Sequence, residues 1–160
     1  MLQRVKPMPS YWLLKSEPDV FSWTMLSAKG VAGESWEGVR NYQARNNMRA
    51  MAIGDLGFFY HSNEGKEVAG ICEVIATVHP ERGDGTGKWE CVDVKAVAAM
   101  PKPVGLDAIK ANPALAQMVL VTNSRLSVQP VTAEQWLIVC RMGGMSDSAL
   151  KARRGKTLKH

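Results

Sequence analysis

Residues 56–78, L-G-F-F-Y-H-S-N-E-G-K-E-V-A-G-I-C-E-V-I-A-T-V, decide the fold class. Two apolar runs, 56–62 and 68–78, flank the polar turn N-E-G-K-E. A third run, W-E-C-V-D-V-K-A-V at 89–97, alternates apolar and polar residues, the signature of a half-buried strand. Three strands follow one another with no helix between them, which excludes the regular strand–helix alternation of a parallel sheet. The class is α+β. In F-F-Y the alternation puts Phe58 and Tyr60 on one face and Phe59 on the other. Gly70 stands inside the second run, where a bulge is expected.

Upstream, Y-W-L-L at 11–14 is a short strand. Asp19, after Pro18, is positioned to cap a helix over 20–28 that packs through Val20, Phe21, Trp23, Met25 and Leu26 and closes at Gly30. Residues 31–40 read as loop. Asn41 is the expected N-cap of a helix running to about Met51, with Ala44, Met48 and Met51 on its buried face. Downstream, Pro101 and Pro103 are expected to end the third strand. Two helical pieces divided by Pro113 come next, then strands at 119–121 and 126–131. Thr132 and Gln135 form a capping box for a last helix that Gly143-Gly144 ends. About five or six strands with a few short helices pack naturally as a small, partly closed barrel with helices at its ends.

A chain of 160 residues suits one domain with one sizeable core. Apolar runs fall short of the roughly 20 residues that span a membrane. The N-terminus lacks the apolar segment of a secretory signal. The three cysteines have no C-x-x-C spacing and sit in apolar runs, as buried thiols of a reducing compartment do. The expected location is the cytoplasm, or the nucleus in a eukaryote, and the expected state is a monomer. The net charge of +5 is local. Residues 151–160, K-A-R-R-G-K-T-L-K-H, carry five basic residues and no acid, and the rest of the chain has 15 of each sign. The organisation is therefore an arm at 1–9, a domain at 10–145 and a basic tail at 146–160 read as disordered. The body is not a broad phosphate-binding surface.

Four motifs, Y-W-L-L-K-S-E-P at 11–18, G-V-R-N-Y-Q-A-R-N at 38–46, F-F-Y-H-S-N at 58–63 and R-L-S-V-Q-P-V-T at 125–132, resemble the EVE domain. That family comprises bacterial stand-alone domains and the thymocyte nuclear protein of animals. The resemblance covers about residues 10–145 and implies a PUA-like fold, a β-barrel flanked by helices and akin to YTH and ASCH domains. It further implies a reader of modified nucleobases, chiefly modified cytosines such as 5-methylcytosine in DNA, with RNA also considered. Thr24 departs from the acidic residue usual in the family at that position.

Reading one base requires flipping it from its stack at a cost of a few kcal/mol. Aromatic faces return roughly 1–3 kcal/mol each, and polar groups bond the base edge. The stretch from Trp36 to Gln43 supplies that chemistry in Trp36, Val39, Arg40, Asn41, Tyr42 and Gln43. Lys15, Ser16 and Glu17 follow the first strand, and Glu17 is a candidate acceptor for a cytosine amine. Phe59, Ser62 and Asn63 end another strand, and Arg125, Ser127 and Gln129 alternate along one more as a polar wall. Arg45 and Arg49, one turn apart on the helix, are candidate phosphate contacts or plain surface charge. No cofactor is expected. His61, His79 and His160 show no ligand spacing with cysteines or acids, so no metal is expected. His61 and Ser62 are adjacent and face opposite sides of a strand, which argues against a catalytic pair. The expected role is a non-catalytic, base-reading module. The alternatives are an RNA-binding module, or a small-molecule or protein adaptor without base specificity.

Overall fold

The structure, a computed structural model, describes residues 10–145. The arm at 1–9 and the tail at 146–160 lie outside the described residues. Six strands form one sheet: β1 (Tyr11–Ser16), β2 (Glu34–Ser35), β3 (Leu56–His61), β4 (Glu67–Pro80), β5 (Glu90–Gly105) and β6 (Val128–Val131). The order is β2-β5-β4-β3-β1-β6, mixed in direction: β1 runs parallel to β3 and the other pairs are antiparallel. Five helices accompany it: α1 (Trp23–Ala28), α2 (Tyr42–Arg49), α3 (Leu106–Lys110), α4 (Val119–Thr122) and α5 (Ala133–Met142).

The α+β class holds, but the expected barrel is an open sheet among the described residues, because no pairing joins β2 to β6. Helix α2 lies across that opening. Asn47 Nδ2 donates to Val128 O of β6 at 2.7 Å, and Arg49 pairs with Glu90 of β5.

Strand alternation sorts the core into two layers. Tyr11, Leu13, Phe58 and Tyr60 point to one, where Trp136 of α5 stacks on Phe58 at 4.0 Å and on Tyr11 at 4.6 Å. Trp12, Leu14 and Phe59 point to the other, with Leu26 of α1 and Ala44 and Met48 of α2. The expected caps of α2 and α5 are present: Asn41 Oδ1 accepts from Ala44 N at 2.9 Å, and Thr132 and Gln135 form the reciprocal box. Among the described residues no helix is long and apolar enough to cross a membrane.

Several local expectations are corrected. Helix α1 begins at Trp23, capped by Ser22 rather than Asp19, because the Ser22 hydroxyl accepts from Met25 N at 3.2 Å. Val20 and Met25 are exposed rather than packed. Lys29 caps its C-terminus, and Gly30, at φ 60°, opens a 3-10 turn instead of closing the helix. The 31–40 segment contains that turn and β2 as well as loop. Strand β5 runs through Pro101 and Pro103, since β4 pairs with Ala99 and next with Val104, so neither missing N–H removes a ladder bond. Residues 119–121 are helical: Val121 N and Thr122 N both donate to Met118 O, at 2.9 and 3.0 Å. An apolar run that short carries no period to separate helix from strand. Strand β6 starts at Val128, after a turn in which Leu126 N donates to Asn123 O.

Gly70 marks the expected bulge: Phe59 pairs with Gly70 and the next residue, Tyr60, with Val68. The glycine also makes room for a side chain. A Cβ there would meet Trp23 ring carbons at 2.6 Å, and that ring packs edge-on against Phe59 at 5.6 Å. Gly70→Ala is expected to destabilise by about 1–3 kcal/mol in urea unfolding, the usual cost of overpacking. Combining it with Trp23→Leu should cost less than the sum of the two single changes. Strict additivity would show that the ring and the glycine do not compete for space.

Candidate functional site

Where β1 ends, the chain turns sharply, since Glu17 O accepts from both Val20 N and Phe21 N. The returning segment Gly33–Glu37 is anchored to β5 by β2 and by Trp36 N donating to Val92 O at 2.7 Å. Between these two segments lies a cavity of about 670 Å³, lined among others by Lys15, Ser16, Phe21, Ser35, Trp36 and Asp93. That volume is in the ordinary range for a small-ligand site.

Trp36 is the aromatic wall. It is 6 % exposed, and its ring meets Phe59 edge-on at 5.4 Å and 90°, and Phe21 at 6.2 Å and 81°. A ring clamped on two sides cannot swing, so its orientation is set before any ligand arrives. The polar groups are held as firmly. Ser16 Oγ donates to Phe21 O at 2.6 Å, and Lys15 Nζ donates to Ser124 O. Partial burial lowers the Lys15 pKa. Ser35 Oγ donates to Asp93 Oδ1 at 2.7 Å. The charged side chains in the lining balance: Lys15, Lys29 and Arg82 against Glu34, Glu37 and Asp93. An aromatic wall with mixed, balanced polar groups suits a neutral planar heterocycle better than a phosphate.

Of the residues expected at the site, Lys15, Ser16 and Trp36 meet at this cavity. The others lie elsewhere. Glu17 is exposed and outside the lining. Phe59 is fully buried behind Trp36, and Val39 is buried in the same layer. Asn41 is the α2 cap, and Tyr42 and Gln43 are exposed on its first turn. Ser62 N donates to Ser16 O, tying β3 to the cavity floor, while Asn63, at φ 70°, borders a separate small hollow with Asp107. The expected polar wall of Arg125, Ser127 and Gln129 does not form. Arg125 and Ser127 precede β6, and Gln129 is fully buried, with Nε2 donating to Leu126 O at 2.8 Å. Arg40 makes a two-pronged ion pair with buried Glu81, at 2.9 and 3.0 Å, and Glu81 also accepts from Gly38 N at 2.8 Å. The Arg40 bond holds the Glu81 carboxyl below its ordinary pKa. Phe21, Ser35, Arg82 and Asp93 line the cavity without having been expected there. The available signal was the loop around Trp36, which lines the cavity on both sides of that residue.

Strand pairing also creates a cluster invisible in sequence spacing. His79 pairs across from Cys91, and Asp93 follows two residues on, so their donor atoms lie within 4.8 Å of one another. Among the described residues these three are the group that could hold a metal ion. Hydrogen bonding already engages all three, with Cys91 Sγ 3.7 Å from His79 Nε2. His79 Nε2 lies 2.7 Å from Asp93 Oδ1 and Nδ1 lies 3.1 Å from Pro80 O. Both partners accept, so the doubly protonated ring satisfies both. The Asp93 bond raises the His79 pKa. Burial alone would raise Asp93, but the bonds from His79 and Ser35 outweigh it and leave the carboxyl below its ordinary value. Burial pushes the Cys91 thiol up to about 11.

A pH dependence follows. A raised folded-state pKa contributes stability that is complete below the unfolded value of about 6.5 and fades as pH climbs through the folded value. The stability lost in His79→Asn should therefore be larger at acidic than at alkaline pH, read by urea unfolding across that range. A pH-independent difference would mean that the ring is neutral in the folded protein.

The solved structure of a protein from Agrobacterium tumefaciens is 63% identical, with a TM-score of 0.83 over 86% of this chain and 95% of that one. Thymocyte nuclear protein 1 of Homo sapiens is 34% identical over 82% of this chain and 73% of its own length. A crystal structure of the human THYN1 protein in complex with 5-methylcytosine-containing DNA is 35% identical, with a TM-score of 0.77, covering 86% of this chain and 99% of that one. A Zygosaccharomyces rouxii YTH domain in complex with N6-methyladenosine RNA matches at 17% identity and a TM-score of 0.55, covering 91% of each chain, a likeness of fold alone. The EVE domain model matches residues 10–142, and the chain belongs to the EVE domain family.

Proposed function

We propose that the chain is a non-catalytic module that reads a modified base in DNA, 5-methylcytosine foremost, flipped into the cavity walled by Trp36. The carrying observation is the clamped Trp36 ring beside a balanced polar lining. The human relative in complex with 5-methylcytosine-containing DNA supports the same ligand class. Stacking on Trp36, at roughly 1–3 kcal/mol, offsets much of the flipping cost. Ser16, Ser35 and Asp93 offer the donors and acceptors that a base edge needs. A methyl group adds about 0.8 kcal/mol if it packs on an apolar wall, for which Val20 and Phe21 are the candidates in the lining. The non-catalytic role is supported by His61, whose Nε2 accepts from Trp23 N at 3.1 Å and whose Nδ1 lies 3.6 Å from Glu67. Both ring nitrogens have structural partners.

The test is a titration of labelled oligonucleotides carrying cytosine, 5-methylcytosine, 5-hydroxymethylcytosine or N6-methyladenine at two salt concentrations. Base-dependent affinity that survives added salt is the expected result. Equal affinity for all four, falling steeply with salt, would overturn base reading and leave only electrostatic attachment.

A further inference from the structure

Beside the cavity is an aromatic pair with three cations over its faces. Tyr42, 50% exposed at the start of α2, stacks on Trp89 at 5.1 Å and 21°. The Arg45 guanidinium lies 4.7 Å from the Tyr42 ring centre, and Arg40 lies 5.2 Å from that of Trp89. Lys88 Nζ lies 5.5 Å from each ring. Glu81 neutralises Arg40, and Asp84 accepts from Trp89 N at 2.7 Å, but no acid forms an ion pair with Arg45 or Lys88 among the described residues. The platform adjoins the cavity through single residues. Glu81 binds Arg40 and Gly38 N, while Arg82 and Glu37, next to them in the chain, line the cavity.

We propose that this platform binds the phosphates of the strand flanking the flipped base, whatever that base is. The proposal rests on the reading of the cavity as a base pocket. The rings act as positioning residues. A cation drawn toward an aromatic face is restrained there by the ring quadrupole, and a guanidinium so restrained keeps N–H groups for anions. Arg49, paired with Glu90, stands apart from this role. The platform thus supplies affinity and the cavity supplies choice, the usual division between backbone and base contacts.

The test uses the full chain and single-stranded 12-mers carrying one cytosine or one 5-methylcytosine. An Arg45→Gln/Lys88→Gln variant should weaken both ligands by the same factor, about tenfold at low salt. Its log–log salt slope should fall by about 1.4, as expected for two phosphate contacts on a single strand. Trp89→Leu removes no charge and should still weaken both equally, by a smaller factor, with circular dichroism confirming the fold. Unchanged affinity and slope in the double variant would overturn the proposal, as would a loss confined to the methylated ligand. If the unaltered protein does not distinguish the two ligands, base reading falls, and equal weakening in the double variant would still establish the platform.

Discussion

Trp36→Leu is expected to abolish the preference for a modified base while leaving base-blind attachment to the strand. The ring is the larger of the two aromatics that line the cavity, Trp36 and Phe21, and leucine keeps an apolar side chain without a stacking face. Losing roughly 1–3 kcal/mol of stacking corresponds to about 5- to 150-fold in affinity for the extruded base. The substitution also touches the core, because Trp36 is nearly buried. Its stability cost should stay below the ~3–5 kcal/mol typical of truncating a buried tryptophan to alanine. Phe59→Leu separates the two effects. Phe59 is fully buried behind Trp36 and outside the cavity lining, so its loss should lower stability comparably yet spare most of the base preference. Oligonucleotide titration beside urea unfolding reads both quantities. If Phe59→Leu and Trp36→Leu reduce preference equally, the wall acts through general packing and not by stacking. If Trp36→Leu retains the full preference, the base is read elsewhere.

The parts of this site that could be read in advance are those with local causes. Asn41, Thr132 and Gln135 cap helices through bonds spanning three residues, and side-chain identity alone predicts them. Phe58, Phe59 and Tyr60 fall on alternate faces because a strand has a period of two. What escaped depends on which strand lies beside which. His79 and Asp93 are 14 residues apart and meet only because β4 and β5 pair with several register shifts. Arg40 looks like a free cation in sequence. Its acid, Glu81, is 41 residues away at the start of a glycine-rich loop that offers no periodic signal. Gln129 continues the polar alternation of Arg125 and Ser127, yet it is buried. The turn at residues 123–126 presents carbonyls to its amide, and two-residue periodicity ends where the strand does.

Asp55→Ala is expected to be among the most destabilising single substitutions in the domain. The turn at 53–55 looks ordinary in sequence, but the carboxylate is 1% exposed. Its Oδ1 accepts from Ser10 N at 3.0 Å, and its Oδ2 accepts from Trp12 Nε1 at 3.0 Å and Ala52 N at 2.9 Å. Those bonds join the start of β1, an indole of the core and the chain leaving α2. They sit at the first rung of the parallel β1–β3 ladder, where Tyr11 pairs with Leu56. Removing the acceptor strands three N–H groups, each worth about 1–3 kcal/mol when buried without a partner, less whatever entering water recovers. A loss of about 3–5 kcal/mol is expected, a large part of the ~5–15 kcal/mol that holds a domain together. Asp55→Asn should fall between Asp55→Ala and the unaltered protein. An amide oxygen at the Oδ2 position keeps the bonds from Trp12 and Ala52, while its NH₂ group opposes Ser10 N. Trp12→Phe, which removes one donor and keeps an aromatic ring, should cost less than Asp55→Ala. It should also cost little extra in an Asp55→Ala background, because the bond it deletes is already gone. Full additivity between those two changes, or an Asp55→Ala cost below about 1 kcal/mol, would mean that water replaces the carboxylate and that the turn is held by its backbone alone.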